Sequence, residues 1–89
     1  MEEPPSWEKL DARGRSDFVR SLGADAGSAR AITHVDEANG PLRDIYYYRA
    51  QHPNEAVPEN LGEPLLNAVE GIVSSCVKSS MEEFLYRNQ

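Results

Sequence analysis

Cysteine is almost missing from this chain of 89 residues, and the single Cys76 has no partner for an internal disulfide. Stability must therefore come from a packed core, and the thiol content suits a reducing, intracellular setting. No apolar run approaches the roughly 20 residues that span a bilayer, and the acidic, proline-containing start Met1-Glu2-Glu3-Pro4-Pro5 is the reverse of a basic signal sequence. There is no Asn-x-Ser/Thr acceptor for glycosylation. Basic residues are also scarce, nine against fifteen acidic ones, for a net charge of −6 spread along the whole length. A broad phosphate-binding face is disfavoured by that balance.

Motifs for chemistry are scarce as well. No Gly-x-Gly-x-x-Gly and no Lys-Ser/Thr after a glycine-rich loop is present to cradle a nucleotide. His34, Asp36 and Glu37 are the densest group of metal-capable residues, but a stable zinc site needs three or four ligands and His52 is the only other histidine. Ser75 and Cys76 have no histidine nearby in sequence to activate them, so no catalytic residue is assigned. The acidic pairs Glu2-Glu3, Asp36-Glu37 and Glu82-Glu83 read as solvated runs, because raising a carboxyl pKa to a useful value requires burial. No cofactor, metal or small-molecule substrate is indicated, and the chain is not expected to be an enzyme.

What the sequence does contain is the makings of one globular domain: 39% hydrophobic and 27% charged residues, in a length that supports a single core. Residues 1–5 read as a disordered lead and 6–89 as the folded unit. Trp7, Leu10, Phe18 and Leu22 fall on one face of a helix predicted from a Ser6 cap to Leu22, with Gly23 as its stop. In the middle, Ser28 is expected to cap a short helix ended by Asn39-Gly40, and Pro41 to open another carrying Leu42, Ile45 and Tyr46. The competing reading is a β-hairpin within 30–50, pairing Ile32–Val35 with Ile45–Tyr48.

His52 to Glu59, with Pro53 and Pro58, reads as a loop, and Asn60 with Glu63 resembles a helix-capping pair. A long helix is predicted from Glu63 to Tyr86, its stripe formed by Leu65, Leu66, Val69, Ile72, Val73, Cys76 and Val77. Cys76 is accordingly read as core. The expected fold is an all-α bundle of about four helices with a long C-terminal helix; the alternative is α+β, with the hairpin between helices.

Two segments invite contact with a partner. Tyr46, Tyr47 and Tyr48, flanked by Arg43 and Arg49, sweep about 200° of a helix, so all three cannot enter one core face. Tyrosine and arginine are enriched at interface hot spots, which marks Arg43, Tyr46, Tyr47, Tyr48 and Arg49 as candidate partner-binding residues. Met81, Phe84 and Leu85 rotate off the stripe of the last helix and are candidates for self-association as a homodimer. A DNA-reading helix-turn-helix centred on Gly40 fits poorly, since Asp36 would occupy its packing position and Asp44 its recognition helix. The first helix also carries Arg13, Arg15 and Arg20, but Asp11 and Asp17 lie four residues from Arg15 and Arg13 and are expected to pair with them on an exposed face. The reading is a non-enzymatic protein-interaction module, an adaptor, regulatory subunit or small inhibitor in the cytoplasm. The alternative is a nucleic-acid-linked regulator.

Overall fold

The computed structural model describes residues 5–87, and of the disordered lead expected at 1–5 all but Pro5 lies outside them. Five α-helices follow a 3-10 turn at Trp7–Lys9: α1 (Ala12–Arg20), α2 (Ala26–Thr33), α3 (Asp36–Gln51), α4 (Glu59–Val69) and α5 (Ser75–Tyr86). No strand occurs among the described residues, so the hairpin reading is excluded and the all-α bundle holds. Consecutive helices pack on one another, most extensively α1 on α2 and α3 on α4.

The helix boundaries differ from those expected, and each difference has a local cause. Ser6 makes no side-chain cap; Asp11 does, its Oδ1 accepting the Gly14 N–H at 2.8 Å, so the expected helix from Ser6 to Leu22 becomes a 3-10 turn, a break and then α1. Asp25 rather than Ser28 caps α2 by accepting the Ser28 N–H, and hydrogen bonding to the Ser28 side chain first, then to backbone N–H groups, holds the Asp25 carboxyl below its usual range. Asn39-Gly40-Pro41 does not divide the next segment, because α3 runs through all three residues. Pro41 and Pro64 each remove a single i−4 hydrogen bond, to the carbonyls of Glu37 and Asn60, both exposed residues at the start of their helices, where a missing donor costs least.

The long C-terminal helix is two helices. Gly71 takes φ +85°, and the Ser74 side chain accepts the Val77 N–H at 3.2 Å to start α5 afresh. Pro58, not Asn60, is the N-cap of α4. The break redirects the stripe: Leu65, Leu66 and Val69 stay in the core, while Ile72 is 44% exposed and Cys76 is exposed, against the expectation that Cys76 is buried. Met81 and Leu85 are wholly buried, which removes them from any surface used for self-association and leaves Phe84, 41% exposed, as the accessible member of that trio.

The core is one cluster that Trp7, Leu22, Ile32, Leu42, Ile45, Leu65, Met81 and Leu85 dominate. Burying each such side chain contributes about 1.5–3 kcal/mol before ordering costs are counted. Gly23, at φ +101°, ends the α1 turn and lets α5 approach so closely that the Ser80 hydroxyl donates to the Gly23 carbonyl at 2.9 Å.

Candidate functional site

The tyrosine–arginine segment lies on α3, and most of it is engaged within the molecule. The Tyr46 hydroxyl donates to the Pro5 carbonyl at 2.7 Å, and the Tyr47 hydroxyl accepts the Trp7 backbone N–H at 2.8 Å. Rings of Trp7, Phe18 and Tyr46 meet with centroids 5.2–5.9 Å apart, and Tyr47 adds an edge contact to Tyr46 at 5.3 Å. Burial, followed by the neighbouring Tyr47, pushes the Tyr46 hydroxyl above its ordinary pKa. These contacts fasten the segment around Trp7 to α1 and α3.

Tyr48 packs its ring against His52 at 4.5 Å. Arg49 shares the face of α3 that carries Leu42 and Ile45, and its guanidinium donates to the Phe84 carbonyl at 2.7 Å, one of the orphan acceptors at the end of α5. Desolvation lowers the Arg49 pKa, and its Nε is buried without an acceptor. The two segments singled out in the sequence thus meet at Arg49 and Phe84, through a structural bond. Of the five proposed contact residues, Arg43 alone is classed as exposed.

A concave surface lies elsewhere, between α1 and α2. Ala12, Arg13, Ser16, Asp17 and Arg20 from α1 face Ala26, Arg30, Thr33 and His34 from α2 across a cleft of about 330 Å³. Small side chains at Ala12, Ser16 and Ala26 create the space, and the helical spacing of i, i+4 and i+8 keeps the lining on one face of each helix. Arg13, Arg20 and Arg30 are exposed, and none takes part in an ion pair among the described residues.

The carboxylates expected to neutralise α1 do not do so. Asp11 is used as the cap of α1. Arg15 turns away from the cleft: its guanidinium stacks over Trp7 at 4.8 Å and donates to the Trp7 carbonyl at 3.1 Å and the Asn39 side chain at 3.3 Å. Asp17 lines the cleft without bonding Arg13. Arg30 is the residue that sequence reasoning missed. The readable signal was Arg13 and Arg20 seven residues apart on a helix with small residues between them, but Arg30 joins them only once α2 folds back along α1.

The residues considered for other chemistry stand apart from any assembled centre. His34 ends α2 at the rim of the cleft, Asp36 and Glu37 occupy the first turn of α3, and no group of three metal-capable side chains occurs among the described residues. Ser75 and Cys76 are exposed in the first turn of α5, and Gly40 lies within α3 rather than at a turn between helices. No helix among the described residues is long and apolar enough to cross a membrane. No family, curated protein or solved structure matches the chain.

Proposed function

We propose that this protein is a non-enzymatic interaction module that receives part of another protein in the cleft between α1 and α2, acting as an adaptor, regulatory subunit or small inhibitor. The observation that carries this reading is the set of three arginines without carboxylate partners among the described residues, gathered on one concave surface of a protein whose net charge is −6. Arginine keeps its charge at any physiological pH and offers five donors in a planar fork, so an unpaired group of three has hydrogen-bonding capacity that a partner can use. An intracellular location suits the exposed thiol of Cys76, which stays reduced there.

Tethering supplies a test. Cys76 is exposed on α5 and does not line the cleft, so the chain can be immobilised through that thiol with the cleft left open. A partner captured from cell extract by the natural chain is expected to be lost with Arg13→Gln and Arg30→Gln combined, and kept with Lys9→Gln, while circular dichroism shows the same helicity for all three. A partner retained by the double variant overturns the assignment of the cleft.

A further inference from the structure

Resting on the reading of the α1–α2 cleft as a docking surface, we infer that its occupant is a short acidic segment of a polypeptide, whose carboxylates meet Arg13, Arg20 and Arg30. Three features of the cleft select this chemistry. Arg13 and Arg20 are seven residues apart on α1, which at a rise of about 1.5 Å per residue separates their Cα atoms by about 10 Å along the axis. Arg30 lies in the last turn of the facing helix and lines the same cleft. Cations distributed in this way match separate single charges along a chain; one phosphate group binds best where several donors converge on a point. An extended peptide rises about 3.3 Å per residue, so carboxylates at alternate positions recur about every 7 Å and place several within reach of the three guanidinium groups.

Asp17 is the second feature. Its carboxylate lies in the same lining as the three arginines, where it repels an acceptor-only anion but can accept a backbone N–H or a hydroxyl. A polypeptide supplies both donors and carboxylates, whereas inorganic phosphate or a row of nucleic-acid phosphates presents mainly acceptors. The third is the composition of the walls. Ala12, Ala26, Ser16 and Thr33 give small apolar and hydroxyl contacts, and the lining holds a single ring, the imidazole of His34, with no tryptophan, tyrosine or phenylalanine to form a stacking platform for successive bases. The overall charge of −6 further opposes the approach of a long polyanion, while a short segment meets mainly the local field of the arginines within a Debye length of about 8 Å.

Fluorescence anisotropy on the full chain tests this with a labelled dodecapeptide of alternating glutamate and serine. Binding is expected, weakening tenfold or more in the Arg13→Gln, Arg30→Gln double variant and falling as salt rises. It should be unchanged by Lys9→Gln, which removes an exposed positive charge outside the cleft. A peptide of alternating glutamine and serine should bind at least tenfold more weakly, and millimolar inorganic phosphate should not compete. Equal binding of the glutamine peptide, with the same loss in the double variant, overturns the acidic chemistry and leaves docking intact. Arginine-dependent binding of oligothymidylate tighter than that of the glutamate peptide overturns it in favour of nucleic acid. Absence of glutamate-peptide binding overturns it too; if the Cys76-tethered chain then still captures a cleft-dependent partner, the docking reading stands, and if it does not, both fall.

Discussion

Two glycines with positive φ show how differently one residue type can matter. A Cβ at Gly23 would stand 2.8 Å from the Ser80 carbonyl oxygen and 2.9 Å from the Phe84 ring, at φ +101°. At Gly71 the angle is similar, +85°, but no heavy atom lies within 4 Å. Gly71→Ala therefore incurs backbone strain alone and is expected to cost about 1 kcal/mol. Gly23→Ala adds a collision with the backbone of α5 and is expected to cost about 2–4 kcal/mol. Urea denaturation of the two variants checks the order; equal midpoints would mean that α5 moves freely away from the α1 turn. The sequence read Gly23 as a helix stop, but the contact with Ser80, 57 positions later, was not visible in any local pattern.

Among the elements, α5 depends most on distant residues at its end. Three of its final carbonyls are satisfied separately: Glu83 by the Arg87 N–H at 3.1 Å, Phe84 by the Arg49 guanidinium, and Leu85 by the Val57 N–H at 2.7 Å. Arg49 is thus a cap supplied by α3, and its positive charge also suits the negative end of the helix dipole. Arg49→Met keeps the aliphatic stem and removes the bond, so stability should fall by about 1.5 kcal/mol. This is the low end for a charged hydrogen bond, because the buried, unpaired Nε is removed as well. Amide exchange should accelerate selectively at the last turn of α5. Uniform acceleration across the bundle, or none, would contradict a local capping role. Helix propensity and stripe spacing identified α4 and α5 as helical, yet the apolar pattern continued through Ile72 and Val73 and concealed the break that Gly71 and Ser74 impose.

For the molecule as a whole, two tyrosines link the fold to alkaline pH. Burial raises the pKa of Tyr46, with a further contribution from Tyr47. Burial also raises that of Tyr86, and the charges of Glu59, Glu63 and Glu82 add to it. Both folded values lie above the unfolded value of about 10, so the neutral ring is favoured in the native state. Their contribution to stability is intact below pH ~10 and is lost as pH rises from there through the folded values. The urea midpoint should therefore fall more steeply between about pH 9 and about pH 11 for the natural chain than for a Tyr46→Phe, Tyr86→Phe variant. Equal slopes would show that other groups govern the alkaline limit. The comparison concerns slopes, because Tyr46→Phe also removes the bond to Pro5 at every pH.

The sequence by itself determined the flanking helices, the presence of one core and many of its members, because apolar residues at helical spacing have few other ways to leave water, but only the structure excluded the hairpin within 30–50. The sequence also showed that three adjacent tyrosines cannot share one face. Only the tertiary structure decided their roles: Tyr46 and Tyr47 hold the Trp7 segment, while Arg49 reaches α5. The same holds for the cleft. Whether Arg13 and Arg20 are neutralised depends on where Asp11, Arg15 and Asp17 are used, and Arg30 joins them through packing of α2 on α1. Helical periodicity reports which side of an element turns inward, but the partners of exposed polar groups are set by contacts between elements, and those follow from the chain's path in space.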